Sequence, residues 1–243
     1  AVISSDLVQI ALSPKQLELT GTGRFDQVPF TAKFQKGLGP DQADVPALLE
    51  AELDLSSELV SRFTGAEIEG LISGSSPAQI IASLPSGAEA SFSLSSDLVG
   101  LRVNAKQINW QKPAKKPAQF RLTGRYNKRV LTDAFSLTGA GLNLEGAVDY
   151  AEQEKFKSLS ISKLQVDDIL DVFGQFNPAM GIEIFGGWVN FPNLMAGMPE
   201  TNAAQTAPLA LKVALDEVVL GENKLTEFRA DLISAPQLSG PFS

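Results

Sequence analysis

The apolar residues of this chain return at every second position in one stretch after another, and that period limits what the chain can fold into. Leu142, Leu144, Val148 and Tyr150 alternate with Asn143, Glu145, Ala147 and Asp149. Ala51, Leu53 and Leu55 alternate with Glu50, Glu52 and Asp54, and Leu209, Leu211, Val213 and Leu215 with Ala210, Lys212, Ala214 and Asp216. Successive side chains of a strand point to opposite faces, so each stretch reads as a half-buried antiparallel strand. Strands of this kind must hide a long apolar face. A second sheet closing on the first would do so, and so would a ligand with acyl chains. Alternation identifies the face and leaves its cover open.

Other strands follow from the same rule. They are expected at 7–12, 16–24, 28–34, 49–55, 89–94, 98–104, 106–110, 120–126, 130–138, 141–150, 158–166, 208–220 and 225–233, with turn residues between them. Ser13-Pro14, Gly139-Ala140 and Gly221-Glu222-Asn223 are such turns, and 126–129 reads as another. Gly21-Thr22-Gly23 suggests a bulge or bend. Ser56 is a fitting N-cap for a two-turn helix over 56–63, and Asp167 or Asp168 for a brief helix over 167–173. The recurrence of strands followed by a short capped helix hints at a duplicated plan.

The chain of 243 residues suits one continuous all-β architecture. Its expected divisions are a sheet segment over 1–173, a loop or linker over 174–207, and a further hairpin of the same sheet or the start of a next repeat over 208–243. The middle division rests on Asn177-Pro178, Gly186-Gly187-Trp188, Phe191-Pro192, Met198-Pro199 and the polar run over 201–206. No apolar run approaches the ~20 residues of a membrane-spanning helix. Beginning at Ala1 on a strand-like segment, the chain reads as a processed form or an excised piece, with any anchor outside it.

With no Cys and no His, thiol catalysis, Cys/His zinc sites and histidine acid–base chemistry are excluded. The serines at 73, 75 and 76 lack the spacing of a nucleophile elbow. A Ser/Lys pair is the remaining hydrolytic arrangement, and nothing singles one out. Asp167, Asp168 and Asp171 form a tight carboxylate cluster whose simplest reading is a set of acids favoured by a helix N-terminus. Glu67 and Glu69 read as neighbours on one solvated face. No phosphate-binding glycine motif is present. The expectation is a non-catalytic chain with no cofactor and no metal.

The formal net charge of −8 argues against nucleic acid as a partner. The charge is uneven: between positions 98 and 132 there is no acid, while Arg102, Lys106, Lys112, Lys115, Lys116, Arg121, Arg125, Lys128 and Arg129 all fall there. Trp110 with Lys112, Lys115 and Lys116 on a proline-stiffened turn suits a boundary between apolar matter and anionic head groups. A solvated basic loop is the plain alternative.

Several segments resemble the AsmA-like superfamily of bacterial envelope proteins, in particular its large YhdP-type members. The run Ser93-Leu94-Ser95-Ser96-Asp97-Leu98-Val99-Gly100-Leu101, followed by Ile108-Asn109-Trp110-Gln111-Lys112-Pro113-Ala114, is similar to that family's Asp-Leu-x-Gly-Leu … Trp-x-Lys-Pro-Ala pattern. The segments 21–31 and 208–221 resemble its hairpins, so the likeness extends over roughly 15–233. The resemblance implies a repeating β-groove: a long curved antiparallel sheet with a few short helices, apolar on its concave face. It further implies a periplasmic segment of an inner-membrane-anchored protein that moves phospholipid toward the outer membrane.

The groove residues, assigned by alternation, are Leu17, Leu19, Phe30, Phe34, Leu53, Leu55, Phe92, Leu94, Leu101, Val103, Phe120, Leu122, Leu142, Leu144, Val148, Leu211 and Val213. They would shield acyl chains at ~0.8 kcal/mol per buried CH₂. At ~4.8 Å per strand a dozen strands span only about 50–60 Å, so the chain is expected to be one module of a longer bridge. The expected partners are phospholipid, a membrane reached through an outside anchor, and other envelope proteins. A closed β-sandwich acting as a scaffold or interaction module is the alternative.

Overall fold

A computed structural model of the chain describes residues 3–25, 27–64, 70–126, 130–151, 155–196, 209–234, 238–239 and 241. The fold is all-β and mostly antiparallel, with two short α-helices among the described residues. The chain divides into two compact units, Ala1–Val103 with Pro113–Asp133, and Asn104–Lys112 with Ala134–Ser243.

In the first unit β1 (Ile3–Leu12), β2 (Gln16–Phe25), β3 (Val28–Gly37) and β4 (Ala47–Ser56) form an antiparallel meander. The helix α1 (Ser57–Thr64) intervenes before β5 (Ile72–Leu84) and β6 (Ala90–Ser96) extend the meander. The chain then forms β7 (Leu101–Ala105), which pairs with the start of β5, and passes through β8 (Trp110–Lys112), which belongs to the second unit. It returns as β9 (Gln119–Tyr126) beside β6. The β1–β2 turn closes through Ser13, whose Oγ accepts the Gln16 amide at 3.0 Å. Ser56 caps α1 as expected, accepting the Leu59 amide at 3.3 Å.

Of the bulge or bend expected at 21–23, the register shift lies on the opposite strand. Pairing steps from Ser5–Gly23 to Leu7–Thr22, which leaves Asp6 as the extra residue. Gly21 and Gly23 are needed for another reason: a Cβ at either would strike a β1 carbonyl oxygen, that of Leu7 or Ser4.

In the second unit β10 (Val130–Gly139), which enters it at Ala134, is followed by β11 (Leu142–Ala151), β12 (Lys155–Val166), β13 (Leu170–Asn177) and β14 (Gly181–Asn190) in an antiparallel meander. After α2 (Phe191–Ala196), β15 (Leu209–Leu220) pairs parallel with β14. The hairpin partner β16 (Asn223–Ser234) and the short β17 (Leu238–Ser239) complete the ladder.

Three expectations need correction here. The loop or linker expected over 174–207 contains the end of β13, all of β14 and α2, so the ladder continues past position 174, with a register shift between Phe173 and Gly174. Its glycines, read as loop signals, are strand positions where the neighbouring strand approaches too closely for a Cβ: Gly174 against the Glu183 carbonyl, Gly187 against that of Asp171. The polar run 201–206 lies outside the described residues, as do 127–129 of the expected hairpin turn.

The helix expected over 167–173 is a three-residue turn. Val166 and Leu170 face each other directly, and the Ile169 amide donates to the Val166 carbonyl at 2.8 Å. The strand expected over 106–110 is a 3-10 turn at Lys106–Ile108 followed by β8.

Candidate functional site

Cross-strand register shows how the expected apolar positions assemble. In the first unit one row runs Ile10, Leu19, Phe34, Leu49, Ala82, Phe92 and Gly124 across seven strands. The next runs Val8, Gly21, Ala32, Ala51, Ile80, Leu94 and Leu122. Paired residues share a face, so Leu17, Leu19, Phe30, Phe34, Leu53, Leu55, Phe92, Leu94, Phe120 and Leu122 all lie on one side. The other side carries Glu18, Thr20, Thr31, Lys33, Gln35, Glu50, Glu52, Gln79, Ser93, Arg121 and Arg125.

Large rings lie against strand glycines on these ladders. Phe92 faces Gly124 and Phe30 faces Gly23, each ring occupying the space a Cβ would take. Phe135 and Gly146 repeat the arrangement in the second unit. A phenyl ring folded over a glycine keeps the strand covered without adding height to the face.

Burial along the apolar face is graded. At one strand end of the first unit Leu55, Ser76, Ala78 and Ser96 are buried, with α1 packed on β4 and β5 through its buried Leu59. Leu98, Leu101 and Ala118 from the 97–118 excursion are buried as well. Ser76 and Ser96 share a hydrogen bond at 3.1 Å; Ser96 Oγ donates to the Pro77 carbonyl at 2.7 Å and accepts the Leu98 amide at 3.0 Å. Away from this end the small residues Ala47 and Ala82 are buried too, but the large side chains are half-buried: Leu17, Leu19, Phe30, Phe34, Leu53, Phe92, Leu94, Phe120 and Leu122 all keep part of their surface exposed. Every extensive strand contact in this unit is between ladder neighbours or with α1.

The second unit follows the same plan. Leu142, Val166, Leu170, Val189 and Val218 form one row across five strands, and all five are buried, Val166 to 1 % exposure. The covering material includes Trp110, whose Nε1 donates to the Ala140 carbonyl at 2.8 Å, and α2, whose Asn193 carbonyl accepts from Asn109 Nδ2 at 2.8 Å. Further along the strands Val148, Leu159, Phe176, Ile182 and Leu211 form a half-buried row. Leu144 and Val213 are half-buried too.

Leu101 and Val103 lie apart from these rows, on the short ladder between β7 and the start of β5, and Leu101 belongs to the sealed end. The basic turn also departs from expectation. Trp110 is buried and Lys112 is fully buried, so neither is presented to head groups. The strand period explains this: in β8 positions 110 and 112 point inward and Gln111 outward. Lys115 and Lys116 are exposed.

Sequence reasoning missed Val8, Ile10 and Leu12, which continue the apolar face onto β1 and whose two-residue spacing could have placed them there. It also missed Phe173 and Phe185, exposed rings with centroids 6.4 Å apart, whose partner Gly186 lies beside a register shift that periodicity does not reveal.

The polar face is held by ion pairs and small side chains. Glu18 accepts from Gln35 Nε2 at 2.9 Å and pairs with Lys33 at 3.3 Å; both hold its carboxyl below the ordinary glutamate range. Arg125 bonds Asp133 at 2.9 Å and Glu89 at 3.2 Å, which raises its pKa. Depressions of about 400 and 580 Å³ lie on this side of the first unit, lined among others by Thr20, Lys33, Glu50 and Glu52, and by Gln79, Ser95 and Gln119. The twisted sheet leaves troughs where its side chains are short.

Of the acidic cluster, Asp168 accepts from Asn193 Nδ2 at 2.9 Å, and the Asp167 carboxylate lies where a Cβ of Gly141 would be. No group of three metal-ligating residues is formed among the described residues. Glu67 and Glu69 lie outside them. No described helix is long and apolar enough to cross a membrane. Comparison with family models, with curated proteins and with solved structures finds no match.

Proposed function

We propose that this chain is a non-catalytic lipid-binding module whose apolar face shields phospholipid acyl chains while the head groups stay in water. The observation that carries this reading is the half-burial of the middle rows. A face that is apolar in row after row, with most of its large side chains left partly exposed away from the sealed end, offers acyl chains a surface that the ladder itself does not cover. Each methylene transferred from water to such a surface gains ~0.8 kcal/mol. A stripe without fixed polar pockets would tolerate many head groups, and no bond is made or broken. The resemblance to AsmA-like envelope proteins extends the proposal to a periplasmic segment of an inner-membrane-anchored bridge carrying phospholipid between the two membranes.

The test is mass spectrometry of the purified chain under native conditions and again after organic extraction. Phospholipid in stoichiometric amount supports the proposal; a lipid-free chain that also fails to take up phospholipid from vesicles overturns it. The troughs on the polar side favour a second reading, an interaction module of the envelope that recognises a polar protein surface through Lys33, Glu50 and Glu52. Under that reading lipid uptake is absent and Lys33→Glu abolishes partner binding.

A further inference from the structure

The apolar face of the first unit carries a charge. Among the described residues of β2 to β6 and β9 that share this face, Lys36 is the one charged side chain. It pairs directly with Leu17 and follows Phe34 by two positions, so alternation turns it to the same side as both. An ammonium on a face of leucine and phenylalanine is costly unless it is compensated.

Its compensation within the described residues is incomplete. The Nζ of Lys36 donates to the carbonyl of Val45 and reaches those of Gln42 at 3.4 Å and Ala43 at 3.5 Å. The last two distances exceed those of a well-formed hydrogen bond, and all three acceptors are uncharged. No described carboxylate forms an ion pair with it; Asp41 and Asp44 of the neighbouring turn are exposed. The side chain is half-buried, a placement in which lysine keeps its stem on apolar surface and its head toward water.

Position along the strands adds a second constraint. Phe30 pairs with Leu53, which precedes the buried Leu55 of the sealed end by two positions. Lys36 lies toward the opposite strand end, about 20 Å from Phe30 along β3 at ~3.3 Å per residue. The acyl chains of one leaflet occupy about 15 Å, half of the ~30 Å hydrocarbon core of a bilayer. A chain held by its head at Lys36 therefore fits between that residue and the sealed end. Lys15 brings a second cation to the same strand end: it is exposed, and its carbonyl accepts the Leu38 amide at 2.8 Å.

We propose that Lys36 binds the phosphate of a phospholipid whose acyl chains lie along the strands with their methyl ends toward the sealed end. The inference rests on the lipid reading above and adds to it an anchor and a direction. The phosphate supplies the negative charge that the three carbonyls lack. Every phospholipid carries that group, so the anchor tolerates many head groups and disfavours lipids without phosphate.

The test offers the chain vesicles of phosphatidylcholine containing an equal amount of diacylglycerol, and counts both lipids on the re-isolated protein by mass spectrometry. The unmodified chain should carry phospholipid in about tenfold excess, the scale of one hydrogen bond to a charged group. Lys36→Met, which keeps an unbranched stem and removes the charge, should carry the two lipids alike, and Lys36→Arg should keep the excess. An excess that persists in Lys36→Met overturns the phosphate site and leaves the lipid reading standing; a chain that takes up neither lipid overturns both. Direction is read with Lys36 in place, so it does not depend on how that variant folds. The chain has no cysteine, and Leu17→Cys and Leu53→Cys each accept a single fluorophore, one beside Lys36 and one near the sealed end. A nitroxide on the phospholipid head group should quench the label at position 17 more strongly, and a nitroxide at the acyl terminus the label at position 53. Equal quenching at the two positions overturns the direction.

Discussion

Val166 and Leu19 come from strands written in the same alternating pattern, and each faces the apolar side of its own ladder. Val166 is sealed; Leu19 keeps part of its surface exposed. The difference lies in what reaches each row. In the second unit the row through Val166 sits at the end covered by Trp110 and α2, whereas Leu19 sits in a middle row that α1 does not reach. Within each unit the apolar face thus has two parts: a sealed end, and rows whose large side chains stay half-buried.

Charge placed in the two parts should separate them most sharply. Val166→Asp puts an uncompensated charge in a closed site and should cost on the order of 4 kcal/mol, enough to abolish cooperative urea unfolding followed by circular dichroism. Leu94→Asp, in an open row, should leave that transition in place and remove lipid uptake from vesicles. If both variants unfold alike, the open rows are core after all.

Truncation makes the same contrast more gently. Leu142→Ala, in the sealed row, should lose about 3 kcal/mol in urea melts, and Leu19→Ala about 1 kcal/mol, since an exposed site leaves no cavity. Equal losses would erase the distinction. A polar probe of the sealed end is Ser96→Ala, which removes the acceptor for Leu98 and the donor to Pro77. It should cost about 1–3 kcal/mol by the same measurement.

The smallest effect is expected on the solvated side. Asp149, bonded by Lys157 Nζ at 2.8 Å, is held below the ordinary aspartate range. Its contribution is complete above that ordinary range and is lost as pH falls through the depressed value. Asp149→Asn should therefore flatten the acid limb of a stability profile slightly, and added salt should shrink the difference because the pair is exposed.

Much of the fold was legible because a period of two survives any change of neighbour. Strands from Leu17 to Leu55 and from Leu142 to Val148, and the Ser56 cap, could be read from local chemistry alone. The misreadings occurred where one residue type serves two purposes. Gly174 and Gly187 resemble loop glycines but lie where two backbones approach, and Asp167 resembles a helix cap but begins a hairpin turn. Lys112 resembles a surface cation, and only the inward phase of β8 places it inside. These assignments depend on residues distant in sequence, which a local pattern does not contain.

The sequence by itself determined which side chains share a face, because alternation along a strand is a property of its own backbone. The tertiary structure decided which of those side chains are covered. That depends on where α1, Trp110 and α2 come to rest, and their places are set by long-range packing and hydrogen bonds such as Trp110 to Ala140 and Asn109 to Asn193.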